Sequence, residues 1–256
     1  PEENYKSYSE ISEIMQQMRR DLAAGKLNAF QESLFVPREP EFLFNLKDDP
    51  WEEVNLANDP AHQKRLKKMR QQLNAEMRAA RDVLFLPEYE VELLSKETTA
   101  YEYRLDDEKY PFDKIYDAAL LSGFRGAAMT KKQVELLKSP HRVVRYWATM
   151  GLLAQSKSDL APFREQIAEV MDDAYPPSAL TASVVMWRNF ATEKAQEKIK
   201  AFCVFENWFI NLMAIDYLFY VENRAPFVEA VEAAMERNSN AGVATGENPK
   251  ARAYIK

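Results

Sequence analysis

Between residues 112 and 237 the chain is an unbroken series of helical segments in which two apolar patterns alternate. Apolar periodicity places helices at about 112–121, 130–138, 143–155, 160–172, 179–191, 194–205, 208–221 and 226–237. Val143-Val144-Arg145-Tyr146-Trp147-Ala148, Leu180-Thr181-Ala182-Ser183-Val184-Val185 and Trp208-Phe209-Ile210-Asn211-Leu212-Met213 are apolar on nearly every side. A helix of that kind must be buried all round. The segments between them are one-sided; Leu160, Phe163, Ile167, Val170 and Met171 share a single face. An inner helix buried twice, alternating with an outer helix buried once, predicts stacked helix pairs, with a plain helical bundle as the alternative.

The repeat recurs at roughly 30–35 residues. Ser139-Pro140-His141-Arg142, followed by Val143 to Ala148, resembles the turn and inner-helix start of a HEAT repeat. Glycine is scarce, 6 of 256 residues, which favours helix over tight turns and phosphate-cradling loops. A net charge of −6 argues against a nucleic-acid partner. The most apolar stretch, 208–221, is interrupted by Asn211 and Asp216. It falls short of the roughly 20 residues a membrane span needs, so a buried helix and no membrane partner are expected. No signal peptide is recognised, and the first residue is Pro1 rather than Met, so a processed chain or fragment is expected.

The N-terminal part reads differently. Ser7 and Glu10 have capping-box spacing, Ile11, Ile14, Met15, Met18 and Leu22 follow at helical period, and Gly25 suits a C′ position. These predict a helix over about 9–24. Pro37 and Pro40 exclude helix next, Phe42-Leu43-Phe44-Asn45-Leu46 predicts one strand, and Asp48-Asp49-Pro50 its turn. Asp59 is a good N-cap with Pro60 in the first helical position. The helix they open has an apolar stripe of Leu66, Met69, Leu73 and Met77, with Lys64, Arg65, Lys67, Lys68 and Arg70 on its wet face. Residues 82–107 lack a sustained period and predict an extended connector. Residues 238–248, rich in Gly, Asn, Ser and Ala, predict a loop.

Candidate chemistry is sparse. His62 and His141 fall in different segments, and neither has a catalytic spacing. Cys203 shares a helical face with Ala195, Ile199 and Phe202 and reads as a small buried hydrophobe. Being the one cysteine, it excludes an intramolecular disulfide. Asp48 and Asp49 end the predicted strand, where carboxylates could meet a divalent cation. Asp48-Asp49-Pro50 also reads as a turn, and the family resemblance given below implies that these are turn residues. Asp106-Asp107 and Asp172-Asp173 sit at connector and helix ends and read as solvated. Gly-rich phosphate loops, Gly-x-Ser-x-Gly, His-Glu-x-x-His and Cys-x-x-Cys do not occur. No residue of this chain is assigned a catalytic, cofactor-binding or metal-binding role.

Glu41-Phe42-Leu43-Phe44-Asn45-Leu46, Asp49-Pro50, Asn55-Leu56-Ala57 and the Asp59-Pro60 helix resemble the C-terminal subdomain of the type I, formylglycine-dependent sulfatases. The likeness continues through Arg81-Asp82-Val83-Leu84-Phe85-Leu86-Pro87-Glu88. Gly25-Lys26-Leu27-Asn28 and Tyr110-Pro111 resemble a subgroup in which that subdomain leads into helical repeats. The resemblance implies hydrolysis of sulfate esters, with glycans as substrates, by a formylglycine nucleophile and a bound calcium ion. It further implies a periplasmic or secreted parent. Formylglycine arises from a Cys/Ser-x-Pro/Ala-x-Arg motif, whereas Cys203 precedes Val204-Phe205-Glu206. No family catalytic residue can therefore be placed on any position of this chain.

The resulting expectation is a mainly α chain, α+β overall. Residues 1–107 would be the remnant of a sulfatase small α/β subdomain plus connector, and 108–256 a HEAT-like α-solenoid. Its partner would be a sulfatase catalytic domain upstream in the same protein, with the solenoid walling the substrate cleft or forming a homo-oligomer contact. A stand-alone HEAT-repeat interaction module is the alternative.

Overall fold

The computed structural model describes residues 12–36 and 38–244, with side-chain surroundings through Arg237. The described residues are mainly helical. Helix α1 (Glu13–Ala23) opens at Ser12, whose hydroxyl accepts from the Met15 N–H at 3.2 Å. Ser7 and Glu10, where a capping box was expected, lie outside the described residues. Gly25 closes the helix as expected. Its φ of +63° is cheap only without a Cβ, and it lets Lys26 N–H reach Asp21 O at 2.9 Å. Helix α2 (Ala29–Ser33) is nucleated by a capping box between Asn28 and Gln31.

The expected strand at 42–46 is corrected: no strand occurs among the described residues. Residues 41–45 run free of helical bonding, and a ladder needs a neighbouring strand that the described residues do not supply. A side chain takes part of that place. Asn55 Oδ1 accepts from Leu43 N–H at 2.9 Å and Ala57 N–H at 3.0 Å, while its amide donates to Glu41 O at 3.1 Å. One backbone bond, Leu56 N–H to Leu43 O at 2.8 Å, completes the clasp. Leu43 is thereby buried with Ala57 and Leu66 in a small satellite core.

Asp59 caps as its position predicts, accepting from Ala61 N–H at 2.8 Å, but Pro60 starts a 3₁₀ turn (Pro60–His62) before helix α3 (Gln63–Ala80). The apolar stripe of α3 is only half used. Leu66 and Met77 are packed, whereas Met69 and Leu73 are exposed. Beyond α3 the extended connector is also corrected. A 3₁₀ turn (Val83–Phe85) leads to α4 (Glu88–Leu94) and α5 (Ala100–Tyr103). Both helices are too short to show a period. Pro87 and the Thr99–Glu102 capping box start them instead. Leu86, Leu94 and Tyr103 bury against Tyr110, Phe112 and Ile115, so the connector is part of the core.

The helical series follows the periodicity closely. It comprises α6 (Phe112–Ser122), α7 (Ala127–Leu136), α8 (Arg142–Leu153), α9 (Lys157–Leu160), α10 (Arg164–Val170), α11 (Pro176–Phe190), α12 (Glu193–Cys203), α13 (Trp208–Leu218) and α14 (Val228–Ala244). The single helix expected over 160–172 is broken at a 3₁₀ turn (Ala161–Phe163), because Pro162 has no N–H to donate. Helix α14 runs through much of the loop expected at 238–248. Helices α6, α8, α11 and α13 form the inner row, each against the next, while α7, α10 and α12 pack outside them and α14 packs on α12. Ten consecutive residues of α11, Pro177 through Met186, are buried. The hydroxyls of Thr181 and Ser183 fold back onto Pro177 O and Ala179 O, both at 2.7 Å, so neither is stranded in that interior.

A buried polar knot locks α6, α7 and α8 together. Gln133 donates to Leu121 O at 3.0 Å and accepts from Gln155 at 2.9 Å, and Gln155 also takes Gly126 N–H at 2.9 Å. Gly151 makes room for it, since a Cβ there would lie 2.6 Å from the Gln133 amide. Gly151→Ala is expected to destabilise the fold by about 1–3 kcal/mol, overriding the helix-propensity gain of alanine. Urea denaturation measures it; an unchanged or raised midpoint would contradict the packing described.

Candidate functional site

The residues singled out in the sequence are dispersed through the fold. His62 stands 3.9 Å from the Asp59 carboxylate in its own turn. His141 caps α8, with Nε2 3.2 Å from Lys109 O and Nδ1 buried without a partner. Burial lowers its pKa, which disfavours the imidazolium. Cys203 is fully buried, and burial pushes its thiol up to about 12, far from a nucleophilic thiolate.

The carboxylate pairs are each occupied structurally. Asp48 accepts from Asn45 at 2.6 Å. Asp49 accepts from the Glu53 and Val54 N–H groups at 3.0 and 2.9 Å, and these donors lower its pKa. That is a turn closure, as its neighbours predicted. Asp106 caps the Glu108 and Lys109 N–H groups, and Asp107 pairs with Arg81 at 2.7 Å. Asp172 lies 2.5 Å from Lys194 and 2.9 Å from Lys198, and its pKa is held at about 2. Burial acts to raise the Asp173 pKa, but a two-pronged bond from Arg145, at 2.6 and 2.9 Å, holds it below the usual range. The reading of Asp172 and Asp173 as merely solvated is therefore corrected to ion pairing. No group of three His, Cys, Asp or Glu side chains suited to a metal occurs among the described residues.

The most charged interior position is one that residue patterns did not mark. Glu90 of α4 is 1% exposed, and Arg142 grips its carboxylate through Nε at 2.9 Å and Nη2 at 2.6 Å. The hydrogen bond to Glu90 raises the Arg142 pKa, so the cation is fixed. Arg142 also lies over the Tyr175 ring, 5.6 Å from its centroid. The Tyr175 hydroxyl is buried close to Glu90 but outside hydrogen-bonding geometry, and burial raises its pKa. Glu90 sits among other acidic residues in sequence, so nothing in its spacing distinguishes the buried carboxylate from its solvated neighbours.

A cavity of about 260 Å³ opens between α7 and α10, lined by Val134, Leu137, Lys138, Arg145, Glu169 and Val170 among others. It brings together neither a nucleophile and base nor a set of oxyanion donors. The geometry around Glu90 serves to join helices.

Asp216 is the other position that residue patterns missed. It lies half-buried on α13, its carboxylate has no ion pair or hydrogen bond among the described residues, and burial pushes its pKa up to about 6. The one signal for it was a carboxylate interrupting an otherwise apolar helix.

Over 95 residues, 36% of this chain, the sequence is 40% identical to the ulvan-active sulfatase of Formosa agariphila. That stretch spans 16% of the relative's length. No family model and no solved structure matches the chain. Part of the chain is thus related to a sulfatase, through a minor portion of that relative.

Asp216 gives a pH test of the site's energetics. A carboxyl group whose folded pKa lies above its unfolded value is least costly when protonated. Its contribution is therefore fully present below about pH 4 and is lost as pH rises through about 6. Asp216→Asn should stabilise the protein by about 1–2 kcal/mol at pH 8, after allowance for partial exposure, and by almost nothing at pH 4. Chemical denaturation at both values checks this; equal stability of variant and parent at pH 8 would contradict it.

Proposed function

We propose that this chain is the non-catalytic C-terminal portion of a sulfatase. In this reading residues 1–107 are the end of the small subdomain and its connector, and residues 108–256 are a HEAT-like solenoid. The parent would hydrolyse sulfate esters on glycans with a formylglycine and calcium held elsewhere in its chain. This chain would support the catalytic domain and shape access to its cleft or an oligomer contact.

The observation that carries the reading is the surface of residues 12–73. Ile14, Phe42, Leu46, Trp51, Val54 and Leu73 are all exposed there, Trp51 to 78%. Concentrated apolar exposure of this kind marks surface that a further layer of protein covers. In the rest of the chain most apolar side chains from Leu86 to Ala234 bury in three clusters, although Leu84, Tyr101, Leu105 and Val228 are exposed there too. The Asp49 turn and the Asn55 clasp give the Asp-Pro and Asn-Leu positions of the resemblance structural uses, which supports this reading.

The purified 256-residue chain is expected to hydrolyse neither an aryl sulfate nor a sulfated ulvan oligosaccharide, with or without calcium. Release of sulfate above the rate of a heat-denatured control would overturn the division of labour.

A further inference from the structure

His141 joins two stretches of chain that lie far apart in sequence, and it does so through one ring nitrogen. It is the N-cap residue of α8, yet its side chain makes no capping bond there. Its Nε2 lies 3.2 Å from Lys109 O, at the end of the connector. A carbonyl can only accept, so Nε2 carries the proton and Nδ1 is a bare lone pair. Nδ1 is buried and has no partner. Lys109 O also accepts from the Tyr103 hydroxyl at 2.9 Å, so one carbonyl ties α5 and α8 to the same turn.

The neutral ring fits this place and the imidazolium does not. Protonation puts a second N–H on Nδ1, where no acceptor faces it. The charge would also stand at the positive end of the α8 dipole, where Arg142 and Arg145 already bring two cations. The carboxylates that could answer it are engaged. Arg142 grips Glu90 of α4, and Arg145 grips Asp173 before α11. Asp106 holds the Glu108 and Lys109 N–H groups, with the Lys109 ammonium 3.9 Å away. Burial pushes the Tyr103 hydroxyl up to about 12 and raises that of Tyr175 as well, so neither phenol supplies an anion.

We propose that His141 is an acid-sensitive latch: neutral, it holds the turn at residues 103–110 against the start of α8, and protonated, it swings out and frees that turn. The latch does not depend on the sulfatase reading. Burial, the largest influence, lowers the folded pKa of the imidazole. Arg142 and Arg145 act the same way, and Glu90 and the Lys109 carbonyl act against it. The stabilisation is therefore fully present above about pH 6.5, the unfolded value, and is lost as pH falls through the folded one. Asp216 has the opposite sign, so loosening in acid does not come from it.

Amide exchange in the 256-residue chain, corrected for its intrinsic pH dependence, tests this between about pH 7.5 and about pH 5. Tyr110 N–H, bonded to Asp106 O at 2.8 Å, reports on the turn, and the amides of α11 report on the core. Protection at Tyr110 should fall at least about threefold toward the lower pH, with α11 unchanged. His141→Gln keeps a side-chain N–H for Lys109 O without titrating, and it should abolish the fall. The chain has two histidines, so the His141 ring resonance can be followed directly; it should titrate below about pH 6.5. Equal protection at the two pH values, the same fall in His141→Gln, or a ring midpoint at or above about 6.5 would overturn the latch. If His141→Gln does not fold, the parent alone decides. Loss of protection that levels off below the ring midpoint supports the latch, and loss that continues unabated below it overturns it.

Discussion

The Glu90–Arg142 pair is the interaction on which the arrangement of this chain depends. A carboxylate with 1% exposure cannot be solvated by water, so its position is tolerable only where a cation reaches it with good geometry. Arg142 does so from the first turn of α8. The connector helix α4 is thereby fixed against the inner row. The neighbouring contacts follow from that placement: Trp147 donates to Phe85 O at 2.8 Å, Asn207 bonds Glu92, and the Tyr89 and Tyr175 rings meet at 5.8 Å. Residues of α4 thus reach α8, α11 and α13 or the turns before them. A segment that reads as a wrapping connector is the brace of the helical rows.

The helical rows themselves were legible because burial on all sides leaves a mark that polar interruptions cannot hide. The patterns around Val143, Leu180 and Trp208 placed α8, α11 and α13 to within a few residues. Pro162 also stood in the sequence, yet the stripe of Leu160, Ile167 and Val170 reads straight through the break it causes. Short helices α4 and α5 fell below the length at which a period can be recognised. The Met69 and Leu73 stripe was read correctly as a stripe. Whether a stripe is covered depends on what lies opposite, and that is not written in its own residues.

The strand at 42–46 shows the same limit more sharply. Alternating burial and flanking prolines specify an extended segment, but a strand is a relation between two segments. Here the Asn55 side chain supplies two of the bonds that a neighbouring backbone would make. No sequence pattern announces an amide acting as a surrogate strand. Among the candidate side chains, the fold places His62, His141 and Cys203 on separate elements, with the cysteine wholly buried as its apolar helical face predicted. Glu90 escaped notice, and Asp216 was noticed only as an interruption of an apolar stretch, because burial, not spacing, makes a carboxylate unusual.

The described residues combine a well-packed helical interior with several exposed apolar side chains in residues 12–73 and structural uses for the acidic pairs. Partial relationship to an ulvan-active sulfatase is consistent with that. The most direct measurement is the coding sequence immediately upstream of the Pro1 codon. The account predicts a continuous reading frame that encodes a strand ending in Asp-Asp and a Cys/Ser-x-Pro/Ala-x-Arg motif. An in-frame start codon adjoining Pro1, with no such motif before it, would contradict it.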